Sequence, residues 1–154
     1  MNAPKNFNGD GLAFIIVPND KPFFPDSYGS YMGLFDSSIN GNATNQLAIE
    51  FDTYKNEWDP NDNHVSVDIN SIISNATAEF GQNSIELKSG RPIRVQIHYD
   101  GWNKTLQIYA AYADQPIRYA VILNTTIELS STLPRSAYLG FSASTGNSLM
   151  VRKR

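Results

Sequence analysis

The chain has no cysteine, two histidines and a charged fraction of only 18% among its 154 residues. Without cysteine there is no disulfide, no thiolate metal site and no thiol nucleophile. No segment approaches the roughly 20 consecutive apolar residues of a membrane-spanning helix. Positive charge is scarce, with a formal net charge of −3 and a pI near 5.2. That balance argues against nucleic acid or an anionic membrane as a partner. The only basic run, Arg152-Lys153-Arg154, reads as a solvated tail. No apolar core follows Met1 in the stretch to Phe7, so no secretion signal is visible.

What is present is a core-forming composition, 41% hydrophobic, in a length that suits one domain over residues 1–154. Four sequons, at Asn42, Asn75, Asn103 and Asn124, favour an extracellular or secretory-pathway location, where each can accept a glycan.

Short β-type runs alternate with turn residues. They cover 12–17, 31–35, 47–54, 64–69, 93–99, 105–112, 119–123 and 137–142. Ile93, Val95, Ile97 and Tyr99 share one face of their run, and Arg94, Gln96 and His98 the other. Asp100-Gly101 reads as a hairpin turn. No long amphipathic helix is visible. A helical turn or two is expected in 71–80, and a short helical turn or strand end in 127–133. Strands of this length and spacing predict an all-β sandwich or jelly roll.

The chemistry concentrates in Glu50-Phe51-Asp52-Thr53-Tyr54-Lys55-Asn56, followed by Asp59-Pro60 and His64. Alternation puts Ile49, Phe51 and Thr53 on one side and Glu50, Asp52 and Tyr54 on the other. Carboxylates about 7 Å apart on one strand face repel unless water or a cation separates them. A hairpin folds His64 back toward them. Carboxylates with one neutral imidazole suit a transition ion such as Mn²⁺. Carboxylates with an amide oxygen and a backbone carbonyl suit Ca²⁺. Asp52 and Asp59 can serve both ions. His98, on a polar strand face, reads as ordinary surface.

These residues resemble the metal-binding signature of the legume (L-type) lectins: Glu-x-Asp-x-aromatic-x-Asn, Asp-Pro, then His and an alternating strand, here His64 to Ile69, continuing Asn70-Ser71. Gly9-Asp10-Gly11-Leu12-Ala13-Phe14 and Leu139-Gly140-Phe141-Ser142-Ala143-Ser144-Thr145-Gly146 are similar to two further segments of that family, in family order. The resemblance spans about residues 8–148. It implies a jelly-roll β-sandwich lacking N-terminal strands and the closing C-terminal strand, with sheet edges and apolar surface exposed.

The resemblance also implies a site. Glu50, Asp52, Asp59 and His64 would bind manganese, with Ser74 holding a manganese-bound water. Asp52, the Tyr54 carbonyl, Asn56 and Asp59 would bind calcium. Sugar would be held by Asp10 and Asn56, by backbone near Gly29 and Ser30, and by the Tyr54 ring, with Asn147 and Ser148 opening a specificity loop. A cis peptide before Asp10 is the family's habit. Saccharides or glycoproteins are the expected partners, with self-association through sheet packing. Residue 9 is Gly where the family has Ala, and Ser30 rather than Gly precedes Tyr31-Met32-Gly33.

Two rivals remain. Glycoside hydrolases of similar architecture need a third acid at position 54 or 55, which are Tyr54 and Lys55, so no catalytic residue is expected. A non-binding storage or defence relative is the other. The ectodomain of a plant lectin receptor kinase is a variant of the leading reading.

Overall fold

The computed structural model describes residues 9–21, 27–35, 44–115 and 120–145. Among the described residues the strands are β1 Gly11–Val17, β2 Leu47–Asp52, β3 His64–Ile69, β4 Ala76–Glu79, β5 Ile93–Asp100, β6 Thr105–Tyr112, β7 Ala120–Thr126 and β8 Tyr138–Ser144. They form a five-stranded antiparallel sheet, ordered β4-β3-β2-β1-β8, and a three-stranded sheet, β5-β6-β7. The expected all-β sandwich is the observed architecture.

Period-two alternation explains how the sheets meet. Leu47 and Ile49 of β2, Val65 and Val67 of β3, and Leu106 and Ile108 of β6 are buried in one cluster, with Phe14, Ile16, Phe51, Ile93, Val95 and Ile97 packed against it. The β5 alternation is therefore as read from the sequence. A second, smaller cluster lies on the other face of the large sheet: Ala13, Ile15 and Val17 meet Met32, Leu34 and Phe35. The large sheet is covered on both faces around β1 and β2, and the acidic residues of β2 and β3 end up beneath loops.

Two local expectations fail. Tyr31–Phe35 is not a strand: a 3-10 turn, Gly29–Tyr31, is followed by Met32 with φ 53° and Gly33 with φ 75°. Two successive left-handed residues turn the chain back, which no β-strand permits. Residues 71–80 hold no helical turn before Phe80; Ala76–Glu79 pairs with β3 instead. Asn75 starts that pairing, accepting Ile69 N–H on Oδ1 at 2.9 Å and donating its own N–H to the Val67 carbonyl at 2.8 Å. The 127–133 expectation is met by a 3-10 turn at Leu129–Ser131.

One face stays open. Leu139 and Phe141 of β8 are each 70% exposed, and Leu12 beside them is also exposed. The β1–β8 register sets Phe14 opposite Phe141 and Ile16 opposite Leu139, so these side chains continue the core face beyond the reach of the three-stranded sheet. Phe14 and Phe141 meet edge to face at 5.7 Å. The exposed apolar surface expected from the resemblance is present.

Candidate cation and saccharide site

The β2–β3 register assembles the site. It pairs Asp52 with His64, Glu50 with Ser66 and Ala48 with Asp68. Alternation then sends Glu50, Asp52, His64, Ser66 and Asp68 to the same side, opposite the main core. All five are buried. The loop after β2 returns Asp59 to the group, and one ligand atom from each of Asp52, Asp59 and His64 lies within 4.8 Å of the others.

The imidazole decides what this group can hold. His64 Nδ1 is 2.8 Å from the carbonyl of Asn61. A carbonyl only accepts, so Nδ1 carries the proton. Burial depresses the His64 pKa, which keeps the ring neutral. Nε2 is then a bare lone pair, buried and without a hydrogen-bond partner among the described residues. It faces Asp52 Oδ2 at 3.9 Å and Asp59 Oδ1 at 3.8 Å. Lone pairs converging in a buried pocket require a cation or extra protons between them. The donor set, two carboxylates and one imidazole with Glu50 beside them, fits a divalent transition ion.

The carboxyls respond to the same crowding. Glu50 is pushed up to about 10, first by burial and then by Asp68, Asp59 and Asp10. Burial raises Asp52 to about 8 despite the Tyr54 N–H that its Oδ1 accepts at 2.6 Å, and Glu50, Asp59 and Asp10 add to the rise. Asp68 rises to about 7, again chiefly through burial. It lies beside the Glu50 carboxyl and the Ser74 hydroxyl, yet neither of its oxygens makes a well-formed hydrogen bond. Asp68 was not singled out from sequence. The signal was available, because period two from His64 puts residues 66 and 68 on its side.

The rim of the site is tied together by backbone. Asp10 N–H donates to the Ser144 carbonyl at 2.8 Å, and the Asp10 carbonyl accepts Thr53 N–H at 2.9 Å. The Ser144 hydroxyl donates to Asp10 Oδ2 at 3.2 Å. Gly29 lies so near that a Cβ built on it would be 3.8 Å from Asp10 Oδ2. Ser30 follows in the same 3-10 turn. On the other side, Asn56 N–H donates to Asp59 Oδ2 at 2.7 Å. The strand ends at Asp52, so Tyr54 is released from the sheet face and its ring is exposed.

Asp10, Gly29 and Ser30 are thus brought to the end of β2, and Glu50, Asp52, Asp59, His64 and Ser74 cluster beneath it. The cis peptide expected before Asp10 is absent: no described peptide bond is cis. Trans is the preferred state of any non-proline bond by about 3 kcal/mol, and the Asp10 N–H has the Ser144 carbonyl as its partner in that state. Asn147 and Ser148 fall outside the described residues. His98 is exposed, packed on Tyr109, as expected of surface.

Residues 1–153 match the legume lectin domain family model, and the chain belongs to that family. It is 38% identical over 149 residues to a lectin-related protein of Cladrastis kentukea, covering 96% of this chain and 48% of that one. It is 40% identical over 151 residues to a probable inactive L-type lectin-domain containing receptor kinase of Arabidopsis thaliana, covering 90% and 24%. Among solved structures, the metal-free form of lectin I-B4 from Griffonia simplicifolia aligns with a TM-score of 0.78 at 32% identity, over 94% of this chain and 60% of that one. The chain spans about half the length of the lectin-related protein it matches. These relatives are lectins and lectin-domain proteins, so the hydrolase reading is set aside.

Proposed function

We propose that the chain binds saccharide at the rim formed by Asp10, Gly29, Ser30, Tyr54 and Asn56, and that a Ca²⁺/Mn²⁺ pair beneath the rim organises it. The observation that carries this reading is the bare Nε2 of His64 facing Asp52 and Asp59, directly under the loop that presents Tyr54 and Asn56. Glu50, Asp52, Asp59 and His64 are the manganese ligands, and Ser74 holds a manganese-bound water. Asp52, the Tyr54 carbonyl, Asn56 and Asp59 are the calcium ligands. Bound cations supply positive charge that neutralises the buried acids.

The protein's own part is positional. Asp10 and Asn56 offer one carboxylate and one amide, which accept from and donate to vicinal hydroxyls. The exposed Tyr54 ring covers the C–H face of a sugar. Asn56 is held through its backbone by Asp59, and Tyr54 through Asp52. Stripping the cations leaves those acids to take up protons or move apart, and either response loosens both sugar contacts. Asn147 and Ser148 are proposed to bias specificity.

Calorimetry with mannose, galactose and N-acetylgalactosamine, with and without chelator, tests the reading. Chelator-sensitive heat supports it. Binding that ignores the chelator removes the cations from the account. Silence toward every sugar with both cations present identifies a non-binding storage or defence relative. The sugars would be met as free saccharides or on glycoproteins in an extracellular or secretory compartment, in a soluble lectin or a receptor ectodomain.

Self-association is part of the same proposal. The open face of β1 and β8 offers Leu12, Leu139 and Phe141, and a second copy brings an identical face.

A further inference from the structure

Trp102 stands at the tip of the β5–β6 hairpin with 97% of its surface exposed. An indole left wholly in water forgoes one of the largest apolar burials available to a side chain. The sandwich makes no use of it. The next residue, Asn103, opens the sequon Asn103-Lys104-Thr105 and is itself exposed.

The turn is built to hold this pair outward. Asp100 Oδ1 accepts Trp102 N–H at 2.9 Å and Asn103 N–H at 3.2 Å, and Asp100 Oδ2 accepts Asn103 Nδ2 at 2.6 Å. Lys104 takes the left-handed position, φ 54°, so the chain reverses immediately after Asn103. The Thr105 hydroxyl folds back onto the Asn103 carbonyl at 3.2 Å. The left-handed residue is Lys104, and Gly101 is not left-handed.

We propose that Asn103 is an N-glycan acceptor and that the Trp102 indole is the platform on which its first sugar packs. Among the described residues, no other sequon asparagine follows an exposed aromatic residue. Asn75 sits between Ser74 and Ala76 and spends Oδ1 on Ile69 N–H. Asn124 lies within β7 between Leu123 and Thr125. Asn42 falls outside the described residues.

The chemistry balances on the Asn103 amide. Nδ2 attacks the anomeric carbon of an oligosaccharide carried on a polyprenyl diphosphate. The N–C bond forms and the C–O bond to diphosphate breaks. The lipid diphosphate leaves with the electron pair, and one amide proton passes to a base of the transferase. Nδ2 keeps its second hydrogen, which still donates to Asp100 Oδ2, so the turn survives modification. An acetamido sugar presents a face of C–H bonds, and an exposed indole adjoining its attachment point shields that face from water.

The inference requires only entry into a secretory route and stands apart from the cation and sugar readings. To test it, the full chain is expressed behind a secretion signal in plant or insect cells. Glycopeptide mass spectrometry then measures occupancy at Asn103 in the parent, Trp102→Ala and Trp102→Phe. Asn103 is expected to be mostly occupied in the parent, several-fold less so in Trp102→Ala, and restored in Trp102→Phe. Compared between fractions purified as occupied at Asn103, enzymatic removal of the glycan is expected to lower Tm by roughly 2–4 °C in the parent and by clearly less in Trp102→Ala. An unmodified Asn103, whatever the state of the other sequons, overturns the acceptor assignment. Equal Tm loss in parent and Trp102→Ala overturns the platform.

Discussion

His64 Nε2 and Asp52 Oδ2 face each other across the β2–β3 ladder at 3.9 Å, both buried. The neutral tautomer set by Asn61 leaves Nε2 an acceptor, and Asp52 joins it as a second acceptor once its carboxyl gives up its proton. A cation that binds the folded state alone stabilises it by RT ln(1 + [L]/Kd), about 2.7 kcal/mol at a hundredfold excess over Kd. Adding Mn²⁺ and Ca²⁺ to chelator-treated protein is therefore expected to raise Tm by several degrees. The rise should vanish in His64→Ala and in Asp52→Asn. A parent protein whose Tm ignores both ions would sink the cation reading.

The buried carboxyls set a pH dependence for the cation-free protein. Asp68 at about 7, Asp52 at about 8 and Glu50 at about 10 all lie above their ordinary carboxylate values. The folded state then binds more protons than the unfolded chain at neutral pH, and stability falls as pH rises. The contribution is whole below the unfolded values near 4 and is lost progressively upward through the folded ones. His64, held neutral, acts in the opposite sense, but only at and below its ordinary value of 6.5. Melting in chelator should thus give a lower Tm at pH 9 than at pH 7. With cations present the difference should shrink or reverse, since ligation needs deprotonated carboxylates. A flat profile in chelator would contradict the crowding argument.

Asn56→Ala tests the rim without disturbing the sheets. Asn56 lies outside the strands and is only half-buried, and its backbone N–H to Asp59 survives the change. Affinity for sugar is expected to fall by at least tenfold, with the far-ultraviolet circular dichroism unchanged. Retained affinity would remove Asn56 from the saccharide site.

Gly11 is held where β1 passes β2 at close range. A Cβ there would meet the Phe51 carbonyl oxygen at 2.4 Å, and the residue has φ 154°. Backbone cannot swing aside as a side chain can. Gly11→Ala is expected to cost more than about 1 kcal/mol of stability, measurable by urea denaturation. It also displaces the neighbouring Asp10, so any sugar affinity should fall with it.

Phe141 tests self-association. It is 70% exposed, so Phe141→Gln should cost no more than its edge contact with Phe14, about 1 kcal/mol, while lowering the sedimentation-derived association constant. A parent that stays monomeric at high concentration would exclude the face as a self-contact.

Much of the fold was legible from period alone. The runs at 64–69 and 105–112 coincide with β3 and β6 to the residue, because alternation is sharp where one face meets a core. The run at 31–35 misled for the opposite reason. Met32, Leu34 and Phe35 are buried not in a sheet but in a plug over β1, and burial without regularity leaves an apolar run that looks like a strand. At Ala76–Glu79 the alternation is too short and too weakly apolar to show, and β3 supplied the pairing partner.

The acid and histidine set was legible as residue types at a spacing. The sequence by itself determined which donors exist, and with no cysteine a thiolate was never among them. It also determined which residues share a strand face, since that follows from the geometry of the extended chain. Only the tertiary structure decided that Asn61 bares His64 Nε2 and that Trp102 stands uncovered beside its sequon. Those outcomes depend on cross-strand register, on where loops return and on which surfaces another layer reaches, and such long-range contacts have no signature in local sequence.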